Sequence, residues 1–313
     1  MLRQIERGDI PVFFELMSRE FPEENAVYGW HAEPFYRIVR KFWRPWYRLI
    51  LGLTNAVGRP LFRFFVLDVD GAYAASAIET FSSRLAYVSS VVVAPEFRRR
   101  GYAKRVLGAC HEAAVRRKAQ FVALDVLDPN TGAAALYDSL GYRPVSHSSH
   151  FVRGSLADVG SIPMAPSVRP YAKPDAERLA EIARSYTPAT RQEVQPVGPW
   201  QFSVPGSVVN AFDSQTMAWV VDHGAGPVAW TRASSSPVMD AGHLTAPVIA
   251  PDVPPAEVAG LLATALAWAK SHGSLRVVVE VLDENVRAAA ALRAAGFEVA
   301  YGSRTLARPT GVA

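Results

Sequence analysis

Apolar positions change period several times along the chain, and each change marks an element. Residues 2–6 read as a short strand. Residues 10–19 carry helical spacing, and a second helical stretch begins near His31. The run LFRFFVLDVDGAYAASAIETF predicts two strands joined at Asp70-Gly71, a dipeptide suited to a two-residue hairpin. A strand follows over Leu85–Val93. A helix is predicted over 101–119, with Val106, Leu107, Cys110 and Ala114 on one face. FVALDV, 121–126, is again a strand, and 132–140 a helix stopped by Gly141. Residues 142–152 return to an extended pattern. Strands and helices mixed in this order predict an α/β or α+β sheet domain.

The pattern then repeats. LDPNTGAAALYDSLGYRPV from Leu127 aligns with LDENVRAAAALRAAGFEVA from Leu282 at an offset of 155. The alignment pairs Asp128 with Asp283, Asn130 with Asn285, Gly141 with Gly296 and Tyr142 with Phe297. LRQIERGD from Leu2 likewise resembles VRPYAKPD from Val168. Two tandem copies of one unit are the simplest reading. They are expected over 1–155 and 168–313, joined by the weakly patterned, Pro-containing 156–167.

Composition narrows the class. Hydrophobic residues make up 50% of the 313, enough for sizeable cores. No apolar run reaches the ~18 residues of a membrane span. The first residues lack the apolar core of a signal peptide. The single cysteine, Cys110, can form no disulfide within the chain. A cytoplasmic enzyme is the expectation. The net charge of +4 is uneven: residues 1–160 carry 21 Lys+Arg against 16 Asp+Glu, and the remainder 12 against 13. The excess predicts an anionic partner for the first copy.

VVVAPEFRRRGYAKRVL, residues 91–107, is where an anion fits. A strand, a short Arg/Gly loop and a helix start stand in succession. A helix N-terminus leaves about four N–H groups unpaired and carries partial positive charge. The amides of residues 99–104 would converge on a phosphate there. Gly101, with no Cβ, lets the backbone approach closely. The stretch is neither a Walker loop nor a dinucleotide GxGxxG.

Arg98-x-x-Gly101-x-Ala103 resembles the acyl-CoA signature of the GNAT N-acetyltransferase superfamily. Asn130, Tyr137 and Leu140-Gly141-Tyr142 resemble the second signature of that family, in the right order and about 30 residues on. The resemblance is carried by residues 85–145. It implies an α/β (α+β) fold of two tandem GNAT-like domains, each a mixed, mostly antiparallel twisted sheet flanked by helices. It implies acetyl-CoA, or another acyl-CoA, as co-substrate and no metal. By resemblance, Arg98, Arg99, Arg100, Gly101, Tyr102, Ala103 and Lys104 hold the pyrophosphate. Val91, Val92 and Val93 pair with the pantetheine amides, and Asn130 contacts the same arm. Tyr137 protonates the leaving thiolate, since a phenol of pKa about 10 holds its proton at neutral pH. An amine on a small molecule or peptide attacks directly, so Cys110, on the apolar helix face, is not needed as nucleophile. A carboxylate acting through water would take the amine's proton. Glu79, late in the third strand, is the first candidate and Asp125 a second.

Copy two departs from this pattern. Pro254 and Pro255 stand where Arg98 and Arg99 do, removing two amide donors, and Glu257 replaces Gly101. Pro247 falls in the cofactor-pairing strand, and Leu292 replaces Tyr137. The second domain is expected to be degenerate and non-catalytic.

Residues 34–67 contain no acid, seven basic residues and nine aromatics. Over 35–53 an apolar stripe runs beside a basic one, and Pro45 should break the helix. Three readings are open: a buried helix with a solvated basic face, a lid over a long acyl chain delivered by CoA or an acidic acyl carrier protein, and a helix docking on a membrane surface or partner. Nucleic-acid binding is disfavoured, because no recognition motif accompanies the charge. A non-catalytic acyl-CoA sensor is the rival to an enzyme.

Overall fold

The computed structural model describes residues 1–40, 62–82, 84–160, 165–203 and 214–312. The first repeat opens with β1 (Leu2–Gln4), α1 (Asp9–Glu20), α2 (Pro22–Tyr28) and α3 (Ala32–Val39). The strands β2 (Phe62–Val69), β3 (Ala72–Phe81) and β4 (Leu85–Val93) follow. Then come α4 (Tyr102–Arg116), β5 (Phe121–Leu127), α5 (Thr131–Ser139) and β6 (Arg143–Arg153). The second repeat begins with β7 (Val168–Pro170), α6 (Ala176–Arg184) and α7 (Ala189–Val194). It continues through β8 (Gln215–Asp222), β9 (Pro227–Ser235), β10 (Ala241–Thr245) and β11 (Val248–Ile249). It closes with α8 (Pro255–Ser271), β12 (Arg276–Leu282), α9 (Val286–Ala294) and β13 (Glu298–Pro309). Among the described residues no helix is long and apolar enough to cross a membrane.

The fold is α/β, with mixed sheets flanked by helices. It forms two compact units, but they do not coincide with the repeats expected at 1–155 and 168–313. Unit 1 comprises Met1–Glu23, Phe35–Ser146 and Arg304–Ala313; unit 2 comprises Glu24–Pro34 and His147–Ser303. The last strand of each repeat therefore ends in the unit built mainly by the other.

In unit 1, β1, β2, β3 and β4 pair antiparallel, and β4 pairs parallel with β5. The hairpin turn is the expected one, with Asp70 at φ 54° and Gly71 at φ 82°. Both residues are left-handed, as a type I′ turn requires. β2 is a continuous apolar run because both its faces are covered. Phe65 and Leu67 join the core under α4, while Phe64 and Val66 pack with Phe13 of α1. The C-terminal residues run antiparallel beside β5: Thr310 N–H bonds to Gln120, and Arg304 meets Asp128. α4 ends at Arg116, short of the expected 119, and Lys118 at φ 58° turns the chain into β5.

In unit 2, β7, β8 and β9 pair antiparallel, β9 pairs antiparallel with β10 and β11, and β10 pairs parallel with β12. β12 pairs antiparallel with residues 148–153 of β6. Residues 24–34 also belong here: Gly29 approaches so closely that a Cβ would stand 2.5 Å from Asp240 Oδ2.

The repeat is visible in its hydrogen bonds. Arg3 grips Asp9 bidentately at 2.6 and 2.8 Å, and Arg169 grips Asp175 at 2.8 and 2.8 Å. Each aspartate also accepts from a backbone N–H, of Glu6 and Ala172 respectively. Asn130 caps α5 through Ala133 N–H, and Asn285 caps α9 through Ala288 N–H.

Candidate active site

The site of unit 1 is built where two parallel strands part. β4 and β5 pair only through Leu85, Ala86 and Tyr87. Beyond Tyr87 the β5-facing edge of β4 has no strand partner in this register, while its other edge stays bonded to β3. A bulge accompanies the parting. Ser90 takes φ 53°, and the register with β3 slips between Ser76 and Ile78. One extra residue reverses the alternation. Before it, Ala86 and Val88 face the α4 core; after it, Val91 and Val93 do, and Val92 turns to the cluster with Leu16 of α1. An unpaired edge of alternating N–H and C=O groups is able to bond an extended amide-bearing chain.

The edge leads to the start of α4. Gly101, at φ 79°, precedes the helix, and Arg99 is also left-handed at φ 62°. Arg105 is the first helical residue to bond back, to the Gly101 carbonyl at 3.2 Å. The N–H groups of Gly101, Tyr102, Ala103 and Lys104 have no backbone acceptor among the described residues. The three arginines divide their work. Arg98 is anchored: it donates to Glu20 of α1 and, through Nε, to the Val93 carbonyl at 3.3 Å. Arg100 lies over the Phe97 ring, and Arg99, Arg100 and Lys104 are exposed. Arg98 therefore fixes the loop, and the two outer arginines stay exposed beside the unbonded amides.

The acetyltransferase (GNAT) family model matches residues 11–142. This part of the chain belongs to the GNAT family. Three solved structures share the fold across both repeats. A tandem GNAT protein from the clavulanic acid biosynthesis pathway aligns over 80% of this chain and 84% of its own, at 17% identity and TM-score 0.57. A GCN5-related N-acetyltransferase from Sphaerobacter thermophilus aligns over 99% and 95%, at 15% identity and TM-score 0.62. A putative acetyltransferase from Pyrococcus horikoshii aligns over 100% and 90%, at 12% identity and TM-score 0.56. At these identities the likeness is one of fold. No curated protein matches the chain.

In this GNAT domain Tyr137 lies on α5, 6% exposed, its ring 5.9 Å from that of Tyr142. Burial pushes its hydroxyl up to about 12. Asn130 is exposed and is spent in part as the α5 cap. Because Asn285 makes the same cap in the other repeat, the cap accounts for asparagine at both positions.

Glu79 departs from its expected role as base. It is 0% exposed, and among the described residues neither carboxylate oxygen has a hydrogen-bond partner. It shares a face of β3 with Ala75 and Ala77, under α4, and Cys110 of that helix feels its charge. Burial pushes its carboxyl up to about 8, against the pull of Arg63, Arg117 and Arg116. A carboxyl so raised favours the protonated form at neutral pH, and its full burial leaves neither oxygen open to solvent. Asp125 answers better. It is exposed, alternates with Leu124 and Val126 of the α4 core, and so faces the other side of the sheet. Tyr87 donates to its Oδ2 across β4 and β5, at the last pair before the strands part. Nothing in the sequence marked Tyr87 or the Ser90 bulge: a serine with positive φ has no compositional signature.

The second repeat lacks the corresponding parts. α8 starts with Pro254 and Pro255, and Glu257 in its first turn pairs with His223 at 2.6 Å. Asn285 donates through Nδ2 to the Pro247 carbonyl at 3.0 Å, tying α9 to the segment between β10 and β11. Leu292, in the Tyr137 slot, is fully buried. The basic and aromatic 35–53 stretch lies, from residue 41 on, outside the described residues.

Proposed function

We propose that unit 1 transfers an acyl group, acetyl by default, from acyl-CoA to a primary amine of a small molecule or peptide. The observation that carries this reading is the conjunction of the open β4 edge with the unbonded amides of Gly101 to Lys104. The edge at Val91, Val92 and Val93 suits the pantetheine arm, and a backbone N–H there would polarise the thioester carbonyl. The amides, with Arg99, Arg100 and Lys104 at the rim, suit the pyrophosphate. Asn130 would contact the same arm. Asp125, oriented by Tyr87, accepts the proton of the attacking amine through water. As the C–S bond breaks, Tyr137 gives its proton to the thiolate, and the amide product leaves. A proton held well above neutral pH is available to that thiolate but is not lost to water.

The test is Tyr137→Phe. Turnover should fall by roughly 10²-fold or more while CoA affinity, read by calorimetry, stays within about twofold. Unchanged turnover, with chemistry shown to limit it, removes Tyr137 as the acid. Release of free thiol from acetyl-CoA separates an enzyme from a sensor, and a series of longer acyl donors reads the chain length.

A further inference from the structure

Unit 2 lacks the amide cradle but contains a cavity of about 260 Å³ of its own. The cavity lies against the α6 face of the unit 2 sheet, where Trp230 and Val248 pack with α6. Tyr186, Phe202 and Trp230 give it an aromatic wall, with Phe202 and Trp230 edge to face at 5.0 Å. Arg191 and Glu280 bring one charge of each sign. His243 lines it as well, and burial, with Arg232 and His150 nearby, holds that imidazole neutral, down to about 4.

One buried group points to a ligand. Trp230 is 1% exposed, and among the described residues its indole N–H has no hydrogen-bond partner. An indole N–H only donates, so what it lacks is an acceptor. The set of groups restricts the chemistry. A simple anion would share the cavity with Glu280, and a simple cation with Arg191. A molecule with both charges complements both, and aromatic faces favour an ammonium beside them.

We propose that unit 2 binds a small zwitterion of amino-acid size, its ammonium toward Glu280 and the aromatic wall, its carboxylate toward Arg191 and the Trp230 N–H. The ligand is bound and not acylated, because the cradle is replaced by Pro254, Pro255 and Glu257 and the strand gap is tied by Asn285. This site does not depend on acyl transfer in unit 1.

The experiment is calorimetric titration of the full chain with each free L-amino acid. For any that binds, its carboxyl amide and its decarboxylated amine follow. At least one amino acid should bind with a Kd below about 1 mM, and its amide and amine at least tenfold more weakly. Trp230→Phe keeps the ring and removes the donor; Glu280→Gln removes the charge. Each should weaken binding about tenfold or more. The thermal midpoint of each variant reports folding, and Glu280→Gln, at a half-buried position, carries the test should Trp230→Phe unfold. Absence of binding by every amino acid overturns the proposal. So does binding that the folded variants leave unchanged, since that places the ligand elsewhere, the unit 1 cleft included.

Discussion

Glu79 shows what a single residue conceals in sequence and reveals in place. In the run AYAASAIETF, a glutamate near the strand end reads as a polar position on an open face. The structure covers both faces of β3, so the same alternation sends Glu79 into the core beneath α4 with no partner for either oxygen. Its folded-state carboxyl is raised to about 8 from an ordinary 4.5. The native state therefore holds a proton that the unfolded chain releases between those values. Stability is fully present below pH 4.5 and is lost as pH rises through 8. Glu79→Gln is neutral at every pH and should remove this slope. Against the native chain it should be nearly neutral at pH 5 and stabilising by on the order of 2–4 kcal/mol at pH 8. Urea unfolding at the two pH values measures the difference, and an effect of equal size at both would mean that Glu79 is ionised in the fold. In the sequence, Tyr137 and the loop before α4 stand out because a spaced motif names them. No such motif marks the Tyr87–Asp125 hydrogen bond, whose partners lie 38 residues apart in sequence.

At the scale of the element, periodicity was sufficient for β2, β3, β4, α4, β5 and α5, whose apolar faces are set by local spacing. It failed where backbone geometry is not encoded by residue type. The β4 bulge falls on Ser90 within SSVVV, with no glycine to mark it. Gly101 is the opposite case, a glycine whose φ of 79° is imposed by the turn into α4. A Cβ there would meet nothing within 4 Å, so substitution is opposed by backbone strain and not by crowding. Gly101→Ala should cost about 1–2 kcal/mol of stability. Its Cβ would enter the space proposed for the pyrophosphate, so CoA affinity should fall further, about tenfold or more. A denaturation curve and a CoA titration on one preparation separate the two effects. A stability loss with unchanged CoA affinity would place the pyrophosphate away from this turn.

At the scale of the whole molecule, duplication was legible and its partition was not. Repeated strings survive in sequence, and the Arg3–Asp9 and Arg169–Asp175 pairs show that they build the same local structure. Which sheet receives a terminal strand depends on pairing with residues far along the chain, and β6 and β13 read as extended in either arrangement. The two copies have diverged in the property that matters for an anionic donor. Residues 1–160 hold the positive excess, and the remainder is near balance. The cradle in the first copy is four unbonded amides behind a left-handed glycine. Its counterpart in the second follows two prolines and starts at Glu257, whose N–H bonds the Pro254 carbonyl at 3.0 Å and whose carboxylate is paired with His223. Each proline deletes a donor, and the glutamate opposes a phosphate of like charge. These losses are independent, so partial repair by one residue's movement does not restore the site. Calorimetry of CoA against the full chain should therefore give a stoichiometry of one. Gly101→Glu, which copies the second repeat's charge into the first, should abolish that binding. A stoichiometry of two would give the second repeat a site as well, and a stoichiometry of one that survives Gly101→Glu in a folded chain would assign CoA to the second repeat and leave unit 1 without its donor.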